Sequence, residues 1–422
     1  MPLGASSRWF LVAALVHLGV AAALLMANEF TEVLTVNWDV LLWVLLPGFI
    51  GSTTLGFALH LFPTLSHRPL PRGRLEVAAF LTAQIGIAAG AVALYLSTSS
   101  IAASRVFSLS AAIWAVSVLV LAARFGRTAL QPELRIVGPE SRPGDAVTIP
   151  LFLMAWASAG GAGILFALSG YEPGPGFGWW ISAVHLFVLG HAALLITAVS
   201  LRLVPRSLGS DPPRWAVISL AGLGVSGAIL VPTGMLLEPP APAWALEALA
   251  APEAAYAGLF FALLVFLGLH ATTPRRPLAL HLTAVAFLLL GGGPGLWMVS
   301  GSNYAPVVGH ASLNVIGFIG LTVLFMWFGL LAPFQRISHD WTQRMLWVLG
   351  AAWVAAIAVL VAVGLAGDAA PGWLVVVGGS LLLAIVVAWA VGTIPVLYPG
   401  LNPLPGISSE AIHKMLGDRR RP

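Results

Sequence analysis

The sequence predicts an all-α integral membrane protein with twelve transmembrane helices, and three observations predict it. Of 422 residues, 59% are hydrophobic and 9% are charged, with a mean hydropathy of +0.94. A soluble domain carries roughly 25% charged residues, so this chain cannot cover a water-facing surface. Apolar runs of about 20 residues, the length a helix needs to cross a bilayer, recur from end to end. Finally, placing the N-terminus in the cytoplasm puts all but Arg105 of the 20 basic residues on the cytoplasmic side, which only an even number of spans allows.

In chain order, a first span at 9–27 follows Arg8 and ends at Asn28-Glu29; with no small-residue cleavage site after it, it reads as a retained helix. The second, 39–62, runs into Pro63 and a basic loop. The third and fourth, 76–97 and 101–123, are divided only by Ser97-Thr98-Ser99-Ser100. The longest gap, Arg124 to Thr148, contains Pro132, Pro139 and Pro143 and is too short for a soluble domain. Beyond it come 148–169, then 178–203 up to Arg206, then 215–237 up to Glu238-Pro239-Pro240. The spans 253–271 and 278–299 are separated by Arg275 and Arg276. The last three are 306–333, from proline to proline, 344–366 up to Gly367-Asp368, and 371–397. Both termini are thereby expected in the cytoplasm and the protein in the plasma membrane. The pI near 10 reflects arginine-rich loops facing anionic lipid, and nucleic acid is not an expected partner.

The chain also repeats. Gly48-Phe49-Ile50-Gly51 recurs as Gly317-Phe318-Ile319-Gly320, and both lead through an apolar run to a proline, Pro63 or Pro333. Gly190 and Pro205 have the spacing of Gly48 and Pro63, and a basic loop follows each copy. These are spans two, six and ten, the second of each block of four. The expected organisation is one polytopic domain over 1–422, built of three four-helix units about a pseudo-threefold axis. The units cover approximately 1–135, 136–274 and 275–400, with a cytoplasmic tail at 401–422.

No cysteine is present, which excludes disulfides, thiolate metal sites, c-type haem and iron–sulfur clusters. No charged residue is expected deep within a span, which argues against proton pumps and ion-coupled carriers. Histidine is what remains for chemistry, as the commonest metal ligand and an axial ligand of haem iron. His185 and His310 fall near the outer ends of spans six and ten, His191 lies deeper on span six, and His17 is near the middle of span one. These four are the candidate cofactor ligands, with His310 and His191 also the candidates for a bare metal. His60, His270 and His281 lie toward the cytoplasmic ends of their spans; His67, His339 and His413 read as solvated. Asn314, one turn after His310, is placed to orient that ring or to bond a neighbouring helix. Tyr304, Met235 and Met298 reach the same side. No catalytic residue can be named.

The stretch Gly309-His310-Ala311-Ser312-Leu313-Asn314-Val315-Ile316-Gly317-Phe318 resembles a phrase of the haem–copper oxidase superfamily. It is nearest the nitric oxide reductase-related branch of subunit I, where the phrase reads roughly His-x-His-x-Asn-x-x-Gly-aromatic. Gly56 to Pro71 is similar to a stretch of the haem- and copper-containing membrane proteins of nitric oxide stress. The resemblance implies twelve helices in three arcs, with haem and copper ligands on spans two, six, seven and ten. Ser312 stands where the phrase has its second histidine, span two has no histidine in its outer half, and span seven has none at all. A full oxidase or reductase centre is therefore not expected. What the resemblance implies is a b-type haem, or less readily copper, in the outer half, with a redox, sensing or cofactor-handling role in nitrogen-oxide or respiratory physiology. Lipid and a redox protein would be its partners. The alternative is a cofactor-free permease or assembly factor.

Overall fold

A computed structural model describes residues 4–30, 38–66, 68, 70, 73–97, 101–131, 142–170, 177–236, 243–272, 276–301, 307–331, 337, 339–366 and 372–398. Among these residues there is helix and no strand. Twelve helices are long and apolar enough to cross a membrane: α1 (Ala5–Met26), α2 (Trp38–Pro63), α3 (Arg74–Leu96), α4 (Ile101–Leu130), α5 (Asp145–Ser169) and α6 (Gly178–Leu208), then α7 (Arg214–Leu236), α8 (Glu247–Leu269), α9 (Leu278–Gly295), α10 (Gly309–Gly329), α11 (Asp340–Gly364) and α12 (Gly372–Ile394). A helix satisfies its backbone hydrogen bonds within itself, so an apolar chain that crosses a bilayer takes this form.

Burial sorts the twelve into two classes. The apolar windows of α2, α6 and α10 are 94%, 83% and 89% buried, and no other helix exceeds 50%. The remaining nine surround these three. Packed neighbours follow the chain from α3 through α5, from α7 through α9 and from α11 to α12, and α12 packs on α1. Side chains such as Ile85, Leu109, Val116, Val348 and Val391 stand exposed on that perimeter, as lipid-facing residues do. At the centre, α6 packs on both α2 and α10, and Phe57 of α2 meets Trp327 of α10 edge to face at 5.7 Å.

The three central helices share a backbone feature that hydropathy does not reveal. Each widens into π-helical hydrogen bonding, at Val44–Gly51, Leu186–Ala193 and Ser312–Gly320. All three stretches end three residues after the repeat glycine, Gly48, Gly190 or Gly317. A π turn slips the backbone ladder and exposes carbonyls to other donors. Those donors are present: Thr197 and Tyr256 on Ala193, and the Trp353 indole on Ile316 at 2.8 Å.

Small residues let the outer helices close in. A Cβ added at Gly48 would lie 2.8 Å from Cγ of His17, and one at Gly320 would lie 2.5 Å from the Trp353 ring. Gly48→Ala is therefore expected to cost about 1–3 kcal/mol, as overpacking of a filled core does. Thermal unfolding in detergent measures it, and an unchanged midpoint would refute the close fit of α1 on α2.

The helix containing α8 departs from expectation. It starts at Ala243, so Pro252 and Glu253 lie well inside it. A span beginning at Glu253 with no acid in its interior was the wrong boundary. The alanine-rich turns from Ala243 onward favour helix strongly enough to carry the chain through the proline.

Candidate functional site

The structure brings two of the expected ligands together. His185 of α6 and His310 of α10 have ring centroids 6.3 Å apart and planes tilted by 32°. Both lie at the ends from which α6 and α10 begin, and both are half-buried. Packing of the π segments of α6 and α10 against each other brings the two rings within reach.

Each ring is oriented by its own backbone acceptor. Nδ1–H of His185 donates to the Ile181 carbonyl, one turn back on α6, at 2.8 Å. Nδ1–H of His310 donates to the Gly291 carbonyl of α9, also at 2.8 Å. This assignment leaves Nε2 of each ring as the lone-pair nitrogen, the usual arrangement of a metal-binding histidine.

The α9 surface beside His310 is cut away by glycine. A Cβ at Gly295 would lie 2.9 Å from Cε1 of His310, and one at Gly291 would lie 2.4 Å from Oδ1 of Asn314. Asn314 thus fills the space behind the ring, its amide nitrogen 3.2 Å from Nδ1 and 3.4 Å from Nε2 of His310. Oδ1 of Asn314 is buried and has no hydrogen-bond partner. These two glycines are the site residues that sequence reading missed. The signal was present in Gly291-Gly292-Gly293-Pro294-Gly295, where positions 291 and 295 share one helical face.

The other candidates are placed elsewhere. His191 is fully buried in the core, where Nδ1–H donates to the Ala155 carbonyl at 3.0 Å. Its Nε2 accepts from the Thr54 hydroxyl at 2.9 Å, and Trp156 packs edge-on at 4.7 Å. With both nitrogens engaged, it ties α2, α5 and α6 together. Thr54→Val would leave that nitrogen buried and unpaired, at an expected cost of about 1–3 kcal/mol; a thermal midpoint equal to wild type would contradict this role. His17 meets Oε1 of Gln84 at 2.7 Å and packs on Gly48, which makes it a link between α1, α2 and α3. His281 bonds Ser200 at 3.0 Å and stacks on Phe325, with Nδ1 buried and unpartnered. Tyr304 lies outside the described residues, as does the Met298 side chain; Met235 is partly buried on α7.

Two small cavities lie within the bundle. One of about 30 Å³ sits between α2, α6 and α10 and is lined by Thr53, Thr54, Phe57, Ala192, Ile319 and Met326 among others. The second, about 10 Å³, lies where Glu253 and Tyr256 of α8 meet Gly224 and Gly227 of α7. Neither borders His185 or His310. Among the described residues, no group of three or more histidines or carboxylates converges as metal ligands do.

No known protein family matches the chain, and no curated protein is significantly similar to it.

Proposed function

We propose that this chain is a plasma-membrane protein of haem–copper-oxidase-like, three-unit architecture that holds one metal centre between α6 and α10. His185 and His310 are its ligands, and the centre is a b-type haem or a bare metal ion. Its role is in redox chemistry, sensing or cofactor handling within nitrogen-oxide or respiratory physiology, with a redox protein as partner and both termini in the cytoplasm. The observation that carries this reading is the juxtaposition of the two imidazoles, each with Nδ1 tied to a backbone carbonyl. Two metal–nitrogen bonds of about 2.0–2.1 Å hold a pair of nitrogens about 4 Å apart, a span that ring centroids 6.3 Å apart accommodate.

The three-unit plan is supported by the central position of α2, α6 and α10 and by their π segments, which end at one offset from the repeat glycine. A bound haem would supply electron transfer or gas binding at its iron. The protein's part is to present two imidazoles at the end of the bundle, with Asn314 and the α9 glycines setting the angle of His310.

One observation favours a second reading, a cofactor-free permease or assembly factor. Asn314 already lies within 3.4 Å of Nε2 of His310, where a ligand would have to enter. The two readings separate in one experiment on protein purified from cells supplied with haem and copper. Oxidised and dithionite-reduced absorption spectra, with a metal assay, are expected to show one centre per chain. Neither a Soret band nor bound metal would leave the cofactor-free reading standing.

A further inference from the structure

We infer that Glu253, Tyr256, Thr197, Ser200 and His281 form a proton-transfer path through the middle of the bundle, between α6, α8 and α9 and separate from the His185–His310 pair.

The path starts at an acid. Ionisable side chains inside membrane spans are rare and mark proton relays and ion paths. Proton transfer was set aside because no acid was expected deep in a span, and Glu253 removes that ground. It lies about 15 Å along the helix that starts at Ala243, at 1.5 Å per residue. Glycines bring α7 close beside it. A Cβ at Gly227 would lie 3.3 Å from Cα and Cβ of Glu253, and one at Gly224 would lie 3.1 Å from Cε2 of Tyr256. The cavity of about 10 Å³ between α6, α7 and α8 borders both Glu253 and Tyr256, and no basic side chain lines it. This space gives the carboxyl arm room to move, and Tyr256 stands one turn on along the same face of α8.

The phenol leads on to α6 and α9. Its oxygen meets Oγ1 of Thr197 at 2.7 Å, with both residues buried. Thr197 and Ser200 are one turn apart on α6, about 5–6 Å between Cβ atoms, a gap that one water bridges. Oγ of Ser200 meets Nε2 of His281 on α9 at 3.0 Å. Nδ1 of that ring is buried with no hydrogen-bond partner among the described residues. Phe260 of α8 and Phe325 of α10 enclose the ring. From Glu253 to Phe260 the path covers about 10 Å along the bundle.

Hydroxyls and imidazole can accept a proton on one side while releasing one on the other. A proton leaving the Glu253 carboxyl passes to the Tyr256 oxygen as the phenol proton moves to Thr197. The same shift through Ser200 puts a proton on Nε2 of His281, and the ring releases one from Nδ1. Rotation of the hydroxyls then resets the chain.

The test is proton flux into liposomes containing the full-length protein, driven by a potassium gradient with valinomycin and read by trapped pyranine. Wild type is expected to conduct above protein-free liposomes. Glu253→Gln, Tyr256→Phe and His281→Phe should each fall to that background. Gln84→Leu, which removes the polar partner of His17 on α3, should conduct as wild type does. Dicyclohexylcarbodiimide, an apolar reagent that couples to protonated carboxyls, should stop the wild-type flux and mark Glu253 in peptide mass spectra. That arm stands even where a variant fails to fold. The path is overturned by wild-type flux no higher than that of empty liposomes, or by flux that survives Glu253→Gln or the carbodiimide. Equal loss in folded Gln84→Leu overturns it too. None of these outcomes bears on the metal content of the protein.

Discussion

If the proposed centre exists, His310→Ala protein is expected to emerge from purification without bound metal or haem while remaining folded. His310 is half-buried at the start of α10, its ring held by the Gly291 carbonyl and flanked by Asn314. Truncation removes one of the two nitrogens proposed to bind the metal, so on that proposal the loss should be complete rather than partial. The fold should tolerate the change better than it tolerates a core truncation, because the ring sits at the end of the bundle and not within its centre. His191→Ala makes the informative contrast. That ring is fully enclosed by Ala155, Thr54, Trp156 and Phe187. Its loss should lower stability and leave the metal content of the surviving folded protein unchanged. Retained metal in His310→Ala, or metal lost from folded His191→Ala, would reassign the ligands.

Trp353→Ala is expected to be the most damaging single change away from the site, at about 3–5 kcal/mol. The indole is 1% exposed on α11, meets Trp389 at 5.7 Å near edge-on, and packs on Gly320. Its Nε1–H also caps the Ile316 carbonyl within the π segment of α10. Trp353→Phe keeps most of the apolar contact and removes only that donor, so about 1 kcal/mol is expected. The difference between the two variants separates packing from the hydrogen bond. Equal losses would mean that the π segment depends on the indole nitrogen more than on the ring.

Much of the architecture was legible before any coordinates. Helices that must cross a bilayer write their length into runs of apolar residues, and most of the twelve spans lie close to where hydropathy and arginine put them, although the fourth runs on to Leu130. Span eight was misread because Pro252 and Glu253 look like a boundary, whereas the helix runs through them. The glycine repeat singled out α2, α6 and α10, and these are also the three most buried helices. The π segments were invisible, because a slipped hydrogen bond leaves no compositional mark.

The site was legible in depth but not in rotation. Counting along the helix placed His185 and His310 at one end of the bundle, yet a helix apolar on all sides does not declare which face meets which neighbour. His191 was therefore kept beside His185 as an equal candidate. The structure turns its ring to Ala155 and Thr54 instead, in the core between α5 and α2. The glycines of α9 that leave room for His310 and Asn314 read first as close packing, since small residues at helix contacts are common in membranes.

Metal and haem content of the wild-type protein, purified intact from cells given both copper and haem, bears most directly on the His185–His310 centre. One equivalent of a metal centre per chain, absent from His310→Ala prepared alongside, is the expected result. Wild-type protein that is folded, monodisperse and free of both metal and haem would contradict it.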